Sequence, residues 1–201
     1  MTTVMLDMPA AETSDMPKSS TSTRMPAILT DVDRVVLTGF MGSGKSTIGP
    51  LLAERLGWRF LDLDVQIERR DGRTVARIFA ESGEQHFRKL EAAALAELLG
   101  RRRIVLALGG GAPEELGNRL LLEQTPRTVV VYLAAPFEAL VARCFEQPGA
   151  EERPVLADLA AAERRFKTRK RLYERIAGHT IETVDLNVEQ TAARVLKYLA
   201  G

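Results

Sequence analysis

A chain of 201 residues, 45% hydrophobic and 27% charged, is long enough for one domain with a sizeable core. Lys plus Arg number 28 against 27 Asp plus Glu, and a net charge of +1 gives no reason to expect a nucleic-acid-binding surface. The single cysteine, Cys144, excludes an intrachain disulfide, and no apolar run approaches the ~18 residues of a membrane span.

Residues 1–32 are rich in Ser, Thr, Pro and Met without a period, so a disordered tail is expected ahead of a single domain at 33–201. The tail has neither the basic start and apolar stretch of a secretory signal nor the Arg-rich, acid-poor character of a transit peptide, and a cytoplasmic protein is expected. "RVVLTG", from Arg34, reads as a buried strand, and "KSTIGPLLAERLG" as a helix with Ile48, Leu51, Leu52 and Leu56 on one face. Pro50 lies near that helix's start, where its missing N–H is tolerable. "WRFLDLD" reads as the second strand, followed by helices over roughly 64–71, 74–81 and 84–99. "RIVLAL" is a third strand stopped by Gly109-Gly110-Gly111, "EELGNRLLLEQ" a helix and "TVVVYL" a fourth strand. A helix near 136–146, a charged loop, a helix over about 159–177, a fifth strand "TIETVDL" and a helix over 189–200 complete the chain. Strands alternating with helices predict an α/β fold: a central five-stranded parallel sheet between two helical layers. Ligands in such sheets bind beyond the carboxyl ends of the strands.

Gly39 to Ser46, "GFMGSGKS", match the phosphate-loop pattern G-x-x-x-x-G-K-[ST], with a strand before and a helix after. The glycines allow backbone N–H groups to turn inward around phosphate oxygens, and the helix start adds its dipole. Lys45 can reach the β- and γ-phosphates, and Ser46 can ligate Mg²⁺. The motif predicts a nucleotide but does not identify the acceptor.

Asp62 and Asp64, two apart at a strand end, are expected to share one face. One could hold Mg²⁺ through water while the other accepts from an acceptor hydroxyl; alternatively Asp62 ends the strand and Asp64 caps the next helix. In "SGEQHFRKLE", Arg88 is either a solvated charge or a site residue, with Glu84 and Glu91 as helical partners. The triple glycine reads as close approach of a ligand to the backbone, or as a flexible connection. "QPGAEERPVL", Gln147–Leu156, has the composition of a mobile lid, about 146–158, that could bring Arg153 onto transferring charge. In "RRFKTRKRLYERIA" most cations are a solvated helix face, and the scarcity of interleaved aromatics argues against RNA.

In order and spacing, "GFMGSGKSTIG", "LDLD", "GEQHFR", "LGGGA", "RPVL" and "RKRLY" resemble the shikimate kinase family over about 34–198. The resemblance implies a P-loop kinase fold with a mobile lid, and transfer of the γ-phosphoryl group of ATP to the 3-hydroxyl of shikimate with Mg²⁺. It further implies ATP along Gly42, Ser43, Gly44, Lys45, Ser46 and Thr47, with Arg143 stacking on adenine and Arg153 meeting the phosphates. Ser46 would contact Mg²⁺ and Asp62 would support it through water. Asp64 becomes the candidate base, Arg88 and Arg169 hold the shikimate carboxylate, and Gly109, Gly110 and Gly111 present N–H groups to the substrate. A monomer acting on small molecules is expected, without nucleic acid or membrane as partner. Departures from the family pattern are His86, a longer lid segment and an adenine-side "DLNVEQ" without basic residues. The alternatives are another small-molecule kinase, such as one acting on gluconate, and a nucleotide-binding regulatory protein without catalysis.

Overall fold

Val35 and Leu37 point to one face of their strand and Val36 to the other, and all three are fully buried. A strand with no polar face belongs inside a sheet covered on both sides. The computed structural model describes residues 31–146 and 158–201 and shows such a sheet. Its strands are β1 (Arg34–Thr38), β2 (Arg59–Asp62), β3 (Ile104–Ala107), β4 (Thr128–Ala134) and β5 (His179–Glu182). They lie in the order β2-β3-β1-β4-β5, with every neighbouring pair parallel.

The helices are α1 (Lys45–Leu56), α2 (Leu63–Asp71), α3 (Val75–Leu99), α4 (Leu116–Gln124), α5 (Phe137–Phe145), α6 (Leu159–Ile176) and α7 (Val188–Leu199). On one face, Leu63, Ile67, Ile78, Leu95 and Leu122 of α2, α3 and α4 pack against Val36, Ile104, Leu106 and Val130. On the other, Ile48, Leu52 and Leu56 of α1 and Val195 and Leu199 of α7 pack against Val35, Leu37, Val105 and Val131. Each such side chain, fully buried, contributes roughly 1.5–3 kcal/mol. A third cluster of Phe40, Tyr132, Leu140, Phe166 and Tyr173 sits under the phosphate loop and joins it to α5 and α6. Because all five strands run the same way, Thr38, Asp62 and Ala107 end at one rim, and the segments after them converge there.

The sequence expectations hold at the level of elements and differ in detail. β2 stops at Asp62, because the Asp62 carboxylate caps α2 by accepting from Asp64 N and Val65 N. The two helices expected over 74–81 and 84–99 form one span, α3, broken at Gly83, whose φ of 78° and ψ of 170° are not helical. β5 ends at Glu182 rather than near 186. Pro50 is the sixth residue of α1, past the turn whose N–H groups are orphaned anyway, so it removes one helical bond. Among the described residues, no helix is long and apolar enough to cross a membrane.

Candidate active site

The phosphate loop is held by geometry that only glycine tolerates. Gly42 has φ 71° and Gly44 φ 91°, and a Cβ on Gly42 would lie 2.3 Å from Leu140 O. Lys45 opens α1 and folds back over the loop: its Nζ donates to Gly39 O at 2.7 Å and Phe40 O at 3.0 Å and lies 3.3 Å from Ser43 Oγ. Burial pulls the Lys45 ammonium down to about 8, although Asp64 and Asp62 work against that shift. An arriving anion would push it back up and keep the ammonium charged.

Asp62 divides its carboxylate between two tasks. Oδ1 caps α2, while Oδ2 accepts from Ser46 Oγ at 3.0 Å. Two hard oxygen donors therefore adjoin beside the phosphate loop, which is the donor chemistry a magnesium ion takes when phosphate and water supply its remaining ligands. Among the described residues, no cluster of three or more His, Cys, Asp or Glu could hold a metal by itself.

Asp64 reaches the same cavity by a route other than the one expected. It is not the second member of an extended pair; it stands in the first turn of α2, above its capping residue. The shared destination survives, because the cap places the first turn at the sheet's rim. Burial is the main cause pushing its carboxyl up to about 6, reinforced by Asp62 and opposed by Lys45. Asp62, Asp64, Lys45, Ser46, Gly110 and Arg169 line a cavity of about 600 Å³ together with the phosphate loop.

Arg88 and Arg169 come from distant helices, α3 and α6, and meet at one carboxylate. Arg169 Nη2 donates to Glu114 Oε2 at 2.8 Å, and Arg88 Nη2 to the same oxygen at 3.3 Å. Arg88 also donates to Glu91 at 2.9 Å and Glu84 at 3.0 Å. Glu91 is only 1% exposed, and burial drives its carboxyl up to about 7 against the pull of Arg88. Among the described residues the Arg169 Nε is buried and has no hydrogen-bond partner, so a planar anion could use this edge only after neighbouring side chains move. Tyr173, one turn further along α6, donates to Gly110 O at 2.6 Å and ties the helix to the glycine loop.

The triple glycine serves neighbouring side chains more than the sequence implied. A Cβ on Gly109 would lie 2.7 Å from Asp64 Oδ1, and one on Gly111 would lie 2.7 Å from Arg88 Nη2. At Gly110 the nearest atom would be 3.6 Å away. Gly109 and Gly111 thus make room for Asp64 and Arg88, while Gly110 lines the cavity.

Arg143 stands on the other side of the phosphate loop. It donates to Thr183 Oγ1 at 2.9 Å and Thr183 O at 2.6 Å. With Gly42, Gly44, Thr47 and Asn187 it borders a second cavity of about 410 Å³. Thr47 lines both cavities. Arg153 and the expected lid lie outside the described residues, apart from the ends at 146 and 158, as does most of the expected tail. His86 is exposed on the solvent side of α3. Glu114 and Tyr173 escaped the sequence reading. Glu114 follows the glycines by only three residues, but its contact with α6 spans 55 residues and has no local signal. Tyr173 at i+4 from Arg169 was legible as a same-face neighbour.

The family model described as "Shikimate kinase" matches residues 41–200. A shikimate kinase of Geobacter metallireducens is 40% identical over 173 residues, covering 85% of this chain and 93% of that protein. The structure of shikimate kinase from Acinetobacter baumannii in complex with shikimate superposes with a TM-score of 0.76 at 38% identity, over 84% of this chain and 93% of that one. A gluconokinase from Sinorhizobium meliloti reaches a TM-score of 0.54 at 20% identity over 84% of this chain and 93% of its own, a likeness of fold alone.

Proposed function

The chain belongs to the shikimate kinase family, and on that premise we propose that it transfers the γ-phosphoryl group of ATP to the 3-hydroxyl of shikimate, giving shikimate 3-phosphate and ADP, a step toward chorismate and the aromatic amino acids. One observation carries the residue assignment: a phosphate cradle, Asp64 and Arg169 line one cavity, and Glu114 links Arg88 to Arg169 at its side.

In this reading the Gly42–Gly44 backbone and Lys45 hold the phosphates, with the adenine on the Arg143 side of the loop. Lys45, already mostly charged at neutral pH, exchanges its bonds to Gly39 O and Phe40 O for phosphate oxygens. Ser46 would hold Mg²⁺ directly and Asp62 would hold it through water; the ion, when bound, would neutralise charge on the β- and γ-phosphate oxygens. Arg88 and Arg169 grip the shikimate carboxylate, whose planar shape suits two guanidinium forks. That grip, with Gly110 N–H, sets the ring so that a hydroxyl faces Asp64. Asp64 accepts the hydroxyl proton as the oxygen attacks phosphorus, and a carboxyl near 6 is ionised at neutral pH while remaining a usable base. Arg153 completes charge neutralisation from the lid segment.

The protein works as a monomer in the cytoplasm, a compartment that a single, buried cysteine fits. The test is ADP release by purified protein with ATP and Mg²⁺ across shikimate, gluconate and other sugar acids. Turnover that depends on shikimate supports the reading. Turnover on gluconate instead, or none on shikimate, overturns it.

A further inference from the structure

The two arginines assigned to the substrate's carboxylate already share a carboxylate. Glu114 closes the 3₁₀ turn Ala112–Glu114 that follows the glycines, and its Oε2 bridges Arg169 and Arg88. Glu84 and Glu91 also neutralise Arg88. Three carboxyl side chains therefore surround two guanidinium groups, and a ligand carboxylate would be a fourth.

Glu114 is the one placed to yield. Glu91 is buried beneath Arg88, and Glu84 holds it within a single helical turn. Among the described residues, Glu114 alone spans both arginines, through a single oxygen, and its side chain is 33% exposed. The turn beneath it is pinned: Arg119 Nη1 donates to Pro113 O at 2.6 Å and Glu114 O at 2.9 Å, and Asn118 Nδ2 to Ala112 O at 2.9 Å. Rotation of the side chain is enough to release both guanidinium groups while the loop stays in place. Among the described residues the Arg169 Nε is buried without a hydrogen-bond partner, so a ligand carboxylate that reaches it after the side chains move gains a bond that Glu114 does not make.

We propose that Glu114 is a specificity-determining gate: its carboxylate stands in for that of the substrate between Arg88 and Arg169, and shikimate binds by exchanging one carboxylate for the other. This rests on the assignment of those two arginines to the shikimate carboxylate. Glu114 thereby weakens shikimate binding and leaves ATP binding and the chemical step untouched. It also disfavours anions that cannot engage both arginines at once, since they lose more on displacing Glu114 than they gain.

The experiment compares wild type with Glu114→Gln and Glu114→Ala by calorimetric titration of shikimate and by steady-state kinetics. Both variants are expected to lower the shikimate Kd and KM by roughly three- to tenfold, the scale of one partly exposed ion pair, with kcat and the ATP KM within about twofold of wild type. Unchanged or weaker shikimate binding in Glu114→Gln overturns the gate and makes Glu114 a brace that holds the arginines together. Loss of folding in both variants, read by thermal melting, overturns it in the same sense. Failure of the wild type to turn over shikimate strikes the underlying assignment instead, so the two failures are distinguishable.

Discussion

Replacing Asp64 by Asn should stabilise the protein while abolishing turnover. In the folded chain the Asp64 carboxyl is raised from 3.8 to about 6, chiefly by burial and next by Asp62. A group whose folded pKa lies above its unfolded value is harder to ionise in the native state. Its ionisation therefore costs nothing well below 3.8, and the cost grows as pH rises until it is complete above about 6. A shift of this size corresponds to ~3 kcal/mol at pH 8, about half that at pH 5 and little at pH 4. Asn keeps the shape and has no charge to bury, so Asp64→Asn should raise Tm at pH 8 by roughly 2–12 °C. The gain should shrink steadily toward pH 4. In the same variant kcat should fall by about 10²–10⁴-fold, the usual contribution of a general base, with ATP affinity little changed. Thermal melts from pH 4 to 8, paired with coupled ADP-release kinetics, measure both effects. A Tm gain that does not depend on pH, or an unchanged Tm at pH 8, would refute the burial argument. Turnover above about a tenth of wild type would refute the role as base.

Other perturbations separate the halves of the site. Gly111→Ala should leave the fold intact, because φ at this position is −96° and the atoms a Cβ would meet, 2.7–2.9 Å away, are the flexible ends of Arg88 and Glu114. It should raise the shikimate KM about tenfold by moving the Arg88 fork, and an unchanged KM would contradict that contact. Arg88→Ala removes one charged grip on a carboxylate and should raise the shikimate KM by roughly 10–100-fold with the ATP KM unaltered. Arg143→Ala should show the opposite pattern, a raised ATP KM at constant shikimate KM. Equal effects on both substrates in either arginine variant would contradict the division of the cavity.

The fold was legible because a buried parallel sheet writes itself locally. Val35, Val36 and Leu37 have no polar face, and the P-loop glycines mark a strand-to-helix turn with positive φ at Gly42 and Gly44. The Asp62–Asp64 pair shows where local reasoning ends. Spacing correctly sent both toward the cavity, but the strand period was the wrong reason, because Asp62 accepting from two N–H groups starts a helix one residue sooner than the apolar pattern suggested. The glycine run was legible as close approach but not its object: Gly109 clears Asp64 from one helix and Gly111 clears Arg88 from another. Glu114 was beyond the sequence altogether, because it matters only through two arginines on different helices, and no local period relates the three.

The destination of the phosphoryl group is the most direct test of the site. Phosphorus NMR of a reaction containing the purified protein, ATP, Mg²⁺ and shikimate resolves this directly. The expected products are ADP and one new phosphomonoester coupled to the proton on C3 of the shikimate ring. Inorganic phosphate alone, or a phosphoester at another hydroxyl, would contradict the placement of Asp64, Arg88 and Arg169 around the acceptor.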